Sequence, residues 1–411
     1  MADLLPLIPN PGSERDPKNF VGRAEVFERA LNMLSAKQNI LLSDPRRMGK
    51  SFWLQTFVHQ MENGTSYRAI YVDYQGVNSL EEFLTETARA LAASNTLPER
   101  FAKRLAAFFD NVDIKLSTGA LELKSAIRSS PKTSVEILNE LIIQLDSDLE
   151  ENRKKAPLLI VMDEVSDAVW KIADDGRPNE AKNLLQRLQH LRKNTKNIRW
   201  IIAGSIGFHH VLALVRSSTN VIIDLNTLKF GPLMNADAEL LARRLALGIN
   251  RPISQDALTF IVEITNGFPA LIQKLFDMML YDQEGQSAAG TQIESSEIEQ
   301  RLEDFITDRD NSRDVTHYTT RIDLYYLSKT KMALSILNIM ARKTGYTPYK
   351  SLKQAVEKSL GENFDEEQFI NTIGMLCDDH YLVEQRADGS SKVAWRYPII
   401  QRIYQRRKKL V

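Results

Sequence analysis

Asn39-Ile40-Leu41-Leu42-Ser43-Asp44-Pro45-Arg46-Arg47-Met48-Gly49-Lys50-Ser51 is the stretch on which the fold turns. Asn39 to Leu42 read as a short buried strand. The loop from Asp44 follows, and Ser51 to Met61 has helical spacing with a stop at Asn63-Gly64. Strand, loop and helix in that order make a place for phosphate. Backbone N–H groups at the helix N-terminus point at an anion, and the helix dipole favours its charge. Lys50 would pair with the β- and γ-phosphates of ATP, and the Ser51 hydroxyl would bind Mg²⁺. Arg46, Arg47, Met48, Gly49 and Phe52 complete the expected phosphate-side binding set. Such loops usually begin with glycine, where this chain has Asp44. Aspartate tolerates unusual backbone angles better than most residues, and its carboxylate is expected to point away from the phosphates.

The next anchor is Leu158 to Asp163 (LLIVMD), an apolar strand running into Asp163-Glu164. Its acids are expected at the C-terminal edge of the sheet, beside the first strand's loop. Asp163 would hold Mg²⁺ through water and Glu164 would polarise the water attacking the γ-phosphate. A GKS tripeptide alone, or a strand-end pair of solvated acids alone, says little. Together, with the loop roughly 110 residues upstream of the acids, they point to ATP hydrolysis with Glu164, Lys50 and Asp163 as the catalytic set. Arg68–Tyr74, Arg199–Gly204 and Asn220–Leu225 read as three further strands. Helices separate most of them, which predicts an α/β fold: a five-stranded parallel sheet between helices. Ser79/Glu82 and Thr133/Glu136 have the spacing of capping boxes. Residues 95–132 read as a helix and hairpin insertion. The fourth strand ends in Ala203-Gly204-Ser205. Ser205 either senses the γ-phosphate or belongs to a tight turn of small residues.

Beyond Pro232 the strand pattern stops. Ala238–Leu247, Gln255–Thr265, Pro269–Tyr281 and Ser295–Asp308 are helical patterns, a candidate lid over 231–310. Gly267-Phe268-Pro269 is either a helix break followed by a proline start or a lid contact to nucleotide. After the charged segment Asp308–Asp314 come helical patterns at Lys331–Lys343, Ser351–Leu360 and Asp365–Asp379. Tyr381–Glu384 and Lys392–Arg396 then flank the turn signal Asp388-Gly389. Three helices and a hairpin make a winged-helix arrangement over 325–411. Residues 1–19 read as an extended arm and 20–230 as the ATPase core.

Composition excludes several function classes. Of 411 residues, 43% are apolar and 26% charged, an ordinary globular balance. Lys plus Arg and Asp plus Glu both total 53, so no global field draws the chain to nucleic acid or membrane. The single cysteine, Cys377, makes no internal disulfide and belongs to no zinc spacing. The N-terminus lacks the features of a signal peptide, and Pro157–Met162 is far too short to cross a bilayer, which needs about 20 apolar residues. A cytoplasmic location without membrane contact is the expectation.

These motifs, in this order, resemble the AAA+/STAND group of bacterial and archaeal P-loop ATPases. The resemblance spans roughly 20–411 and rests on Phe20-Val21-Gly22-Arg23, Pro45 to Ser51, Asp163-Glu164, Ala203-Gly204-Ser205, Gly267-Phe268-Pro269 and the terminal winged helix. It implies Val21 and Gly22 near the adenine, Pro269 near the nucleotide, and a nucleotide-gated switch that forms homo-oligomers or engages a protein partner. An arginine reaching a neighbouring copy would be typical, with Arg187, Arg192, Arg199 and Arg216 as candidates. His209 and His210 lack partners at metal spacing and read as turn residues. The helix that would read DNA, Asp365–Asp379, carries five acids and no Lys or Arg, so phosphates would repel it. Arg386, Lys392 and the tail Arg402, Arg406, Arg407, Lys408 and Lys409 leave DNA contact open. Three functions follow: an ATP-hydrolysing switch, a DNA-binding initiator- or transposition-like ATPase, and a scaffold that holds nucleotide without hydrolysing it.

Overall fold

The computed structural model describes residues 4–11, 16–62, 67–94, 97–110, 132–151, 156–281, 284–307, 313–387 and 390–410. The expected hairpin of the insertion, the Asn63-Gly64 helix stop and the Asp388-Gly389 turn lie outside them. Strands β1 (Asn39–Ser43), β2 (Arg68–Asp73), β3 (Leu158–Asp163), β4 (Ile198–Gly204) and β5 (Leu225–Thr227) form one parallel sheet in the order β2-β3-β4-β1-β5. The loop strand and the acid strand, expected from the sequence to lie side by side, are therefore not neighbours. β4 lies between them, with Leu42 opposite Ala203 and Val161 opposite Ile201. Its run Trp200–Gly204 is buried throughout, and a strand apolar on both faces belongs in the centre of a sheet. The fifth strand is also displaced. Thr219–Ile222 is a 3₁₀ turn and pairing begins only at Leu225, because Ile223 faces solvent and Arg192 ties Asp224.

Alternation assigns the two faces of the sheet. Ile40, Leu42, Leu159, Val161, Ile201 and Ala203 pack into one apolar cluster; Leu41, Leu158, Ile160, Met162, Trp200 and Ile202 pack into the other. The first cluster also holds Trp53 and Phe57 of helix Lys50–Glu62 and continues unbroken through Leu245, Phe268 and Leu302 to Leu376 and Tyr404. Helices Asn235–Gly248, Gln255–Thr265, Pro269–Met279 and Ser295–Thr307 thus share one core with the loop side of the sheet. The Thr133/Glu136 capping box forms reciprocally: the Thr133 hydroxyl accepts from Glu136 N–H at 3.3 Å, and the Glu136 carboxylate accepts from Thr133 N–H at 2.8 Å.

After the charged segment the chain enters a helix that the sequence reading passed over, Arg313–Tyr325. Helices Thr330–Ala341, Tyr349–Leu360 and Glu366–Asp378 follow, with strands β6 (Thr347–Pro348), β7 (Leu382–Ala387) and β8 (Ser390–Trp395) in the antiparallel order β6-β8-β7. The basic tail is a helix, Pro398–Lys408. Its Arg402 pairs with Glu299 and Glu303, and Arg406 with Glu303 at 3.0 Å. Of the residues before the first long helix, Pro17–Asn19 form a 3₁₀ turn and 4–10 are fastened to the helical region: Leu7 N–H donates to Arg244 O, Arg244 Nε to Leu5 O and Asn10 N–H to Gln273 Oε1, each at 2.9 Å. Among the described residues no helix is long and apolar enough to cross a membrane.

Candidate nucleotide site

The loop after β1 owes its shape to two left-handed residues, Arg47 at φ 72° and Gly49 at φ 82°. Asp44 adopts no positive φ, so its position makes no demand for glycine, and its carboxylate turns away to accept from Gly231 N–H at 3.2 Å. Met48 is buried in the core, so only its backbone belongs to the loop; its carbonyl accepts from Arg23 at 2.7 Å. Arg23, whose guanidinium lies 3.6 Å over the Phe230 ring and donates to Phe230 O, fastens the segment before the first helix to the loop. That brings Val21, buried, and Gly22, pressed against the Asp237 side chain, to the same side. Phe52 meets Phe20 edge-on at 5.1 Å. A methyl on Gly49 would lie 3.8 Å from Pro269 Cγ, so the Gly267-Phe268-Pro269 turn abuts the loop.

Lys50 is buried at the start of its helix, and its ammonium donates to Asp44 O and to Pro45 O at 2.8 Å. Burial lowers its pKa, while Glu164, Asp44 and Asp163 oppose the shift. Asp163 is buried and receives Tyr71 O–H at 3.0 Å and Glu164 N–H at 2.9 Å. Glu164 stands at φ 54°, a left-handed position at the cap of helix Val165–Asp174. Its Oε2 accepts from Ser205 N–H at 3.1 Å and from Ser205 Oγ–H at 2.7 Å. Arg46 donates to that hydroxyl at 3.0 Å and pairs with Asp167 at 3.6 Å. Loop, acid strand and β4 turn are therefore joined across one sheet edge. Gly204 is required there: a methyl would meet Ser166 Oγ at 2.0 Å and Cβ at 2.9 Å. Gly204→Ala is expected to cost about 1–3 kcal/mol by overpacking, read as a lower urea midpoint with an unchanged slope.

The far end of the chain closes over this edge. Tyr318 O–H donates to Arg46 O at 3.2 Å, Arg321 to Ser205 O at 2.8 Å, and a His380 ring nitrogen lies 3.3 Å from Ser43 O. Asp379 is buried against His210 at 2.6 Å, Tyr326 O–H at 2.8 Å, His209 at 3.4 Å and Arg321 at 3.9 Å. The two histidines, read from sequence as turn residues lacking partners at metal spacing, stand instead on helix Phe208–Leu214 and meet an acid 169 positions downstream of His210. Arg192, a candidate for action on a neighbouring copy, is instead buried and tied to Asp224 and Val221 O.

The same architecture occurs in a solved protein, a Walker-type ATPase of Pyrococcus abyssi. It is 17% identical in sequence, with a TM-score of 0.62 over 96% of this chain and 98% of that one. Its fold is that of a P-loop ATPase. The ORC2 protein of Aeropyrum pernix, solved with ADPNP and ADP, is also similar (12% identity, TM-score 0.49, 98% and 97% covered). No family model and no curated protein matches the sequence.

On this P-loop ATPase fold the sequence reading quoted Arg23 without giving it a role, and gave none to Tyr318, Arg321, Asp379 or His380. A signal existed for helix Arg313–Tyr325, since Tyr318, Ile322 and the Tyr325/Tyr326 pair recur at helical spacing. The His210–Asp379 contact is expected to make the docked C-terminal segment sensitive to pH. Burial lowers the His210 pKa, opposed by Asp379, with His209 and Arg321 adding to the lowering; Tyr325 and Tyr326 face the ring as well. Burial also lowers His380. Burial alone would raise Asp379, but His210, hydrogen-bonded to it, with His209 and Arg321 close by, holds it well below the usual carboxylate range. All three groups have depressed values in the folded state, so their stabilisation is present above their ordinary pKa and lost as pH falls. The histidines titrate first, below about 6.5. Between pH 7.5 and 5.5 the urea midpoint is expected to fall, and His210→Gln should flatten that dependence.

Proposed function

We propose that this chain binds ATP with Mg²⁺, hydrolyses it, and uses the nucleotide state to set whether its C-terminal segment stays docked on the phosphate loop. The observation that carries the reading is the Tyr318 hydroxyl on Arg46 O, with Arg321 on Ser205 O: the distal segment bonds to the loop itself and to the β4 turn. Lys50 would leave Asp44 O and Pro45 O for the β- and γ-phosphates, Ser51 and Asp163 would hold Mg²⁺, and Glu164 would polarise the attacking water. Arg46, Arg47, Met48, Gly49 and Phe52 line the phosphate side. Val21, Gly22 and Pro269 lie where adenine and the rest of ADP or ATP would rest, and Ser205 meets the γ-phosphate end. Residues 231–310 serve as lid and 325–411 as a winged helix whose release exposes a surface for a second copy or a protein partner.

The test is hydrogen exchange in helix Arg313–Tyr325, run with native mass measurement, with and without a non-hydrolysable ATP analogue. Faster exchange and a heavier species are expected with analogue. Unchanged exchange at saturating analogue would end the switch while leaving hydrolysis to be judged separately. The DNA-binding alternative loses ground on two observations. Arg402 and Arg406 are held by Glu299 and Glu303, and the third C-terminal helix exposes Glu366, Glu367 and Asp378. A salt-sensitive duplex shift lost on deleting 402–411 would restore it.

A further inference from the structure

We infer that Arg321 is a positioning residue that restrains Glu164 through Ser205, so that docking of the C-terminal segment holds back the water-activating carboxylate. The inference rests on the hydrolytic reading above. It names the route by which the distal segment reaches the chemistry.

Every polar group of Ser205 is engaged. Its N–H and hydroxyl donate to Glu164 Oε2, its hydroxyl oxygen accepts from Arg46 Nε, and its carbonyl accepts from Arg321. Three residues from three distant parts of the chain thus converge on one buried serine. The turn that carries it has little freedom. Gly204 is pressed against Ser166, and a methyl on Gly207 would meet the His209 ring at 2.3 Å. Arg321 is itself buried and fixed by Asp379 at 3.9 Å and by the Tyr325 ring at 5.8 Å. A displacement of helix Arg313–Tyr325 therefore pulls directly on the Ser205 carbonyl.

The consequence for Glu164 is geometric. Two donors from Ser205 occupy one oxygen of the carboxylate, and its backbone is already left-handed at φ 54°. The lone pairs of that oxygen are turned to the β4 tip rather than to a water. Loss of the Arg321 bond loosens the turn and frees the carboxylate to rotate.

The experiment compares the full chain with Arg321→Ala, Arg321→Lys and Tyr381→Phe. The last variant removes a hydrogen bond inside the C-terminal segment, Tyr381 O–H to Tyr318 O at 2.7 Å, without touching Ser205. Two readouts are taken: phosphate release at saturating ATP, and the exchange rate of the Ser205 amide. Arg321→Ala should raise kcat by about three- to tenfold, what one net hydrogen bond is worth, with KM for ATP little changed. The Ser205 amide should exchange faster by a similar factor. Arg321→Lys, which still carries a donor, should restore both toward the parent values, and Tyr381→Phe should move neither. Equal acceleration by Tyr381→Phe would show that general loosening of the C-terminal segment, and not the Arg321 bond, controls Glu164, and unchanged Ser205 exchange in Arg321→Ala would show no coupling; either overturns the inference. Should the parent chain release no phosphate, the hydrolytic reading fails, and the exchange rates still decide whether Arg321 holds the turn.

Discussion

Lys50→Ala is expected to weaken ATP binding by about a hundred- to a thousandfold, the cost of removing one partner of a buried charge pair. Lys50 is the one loop side chain whose ammonium already lies inside the loop, bonded to Asp44 O and Pro45 O and facing the field of Glu164 and Asp163. A triphosphate would replace two neutral carbonyls with charged oxygens, so the interaction gained on binding is large. The folded protein without nucleotide should hardly notice the change. Burial penalises the lysine charge, as its lowered pKa shows, and losing that penalty offsets the two lost hydrogen bonds. The result to look for is therefore a split: calorimetric titration with ATP and Mg²⁺ collapses while the urea midpoint stays close to that of the parent. ATP affinity retained in a folded Lys50→Ala protein would sink the phosphate-loop assignment.

What the sequence made legible follows from which signals are local. Strand, loop and helix around Lys50 are fixed by a few consecutive residues, and they form where expected. The capping box at Thr133/Glu136 closes because it too is a four-residue event. Asp44 illustrates a departure from pattern that costs nothing, since its backbone stays in the ordinary region and its side chain has a partner in Gly231. Strand order was not legible, because apolar runs do not state their neighbours; β3 and β4 are both apolar on both faces, which puts each inside the sheet without ordering them. The weak fifth strand was misplaced for a related reason, since an edge strand paired on one side needs only Leu225–Thr227. Least legible was the closure of the site. Tyr318, Arg321, Asp379 and His380 carry no motif, and their partners lie between 116 and 337 positions away in the pairs Arg321–Ser205, Tyr318–Arg46, Asp379–His210 and His380–Ser43. Only packing of the C-terminal segment onto the shared core brings them together.

Glu164→Gln is expected to retain ATP binding and lose about 10²- to 10⁴-fold in kcat, the usual share of a positioned general base. Glutamine keeps the length and shape of the side chain, and its carbonyl oxygen still accepts from Ser205 N–H and Oγ–H. The backbone at φ 54° makes the same demand of either residue, so the cap of helix Val165–Asp174 should persist. What is lost is the negative charge and the ability to take a proton. Asp163→Asn should behave differently. That oxygen pair receives Tyr71 O–H and Glu164 N–H, and a neutral amide can present only one acceptor to them, so the strand tip itself is disturbed and Mg²⁺ dependence should shift along with the rate. Measuring single-turnover phosphate release against Mg²⁺ concentration separates the two roles. Loss of kcat at unchanged Mg²⁺ dependence in Glu164→Gln, against a shifted Mg²⁺ requirement in Asp163→Asn, is the pattern that follows from the geometry. A Glu164→Gln protein that turns over ATP at the parent rate would remove Glu164 from the chemistry and leave its bond to Ser205 as a purely structural contact.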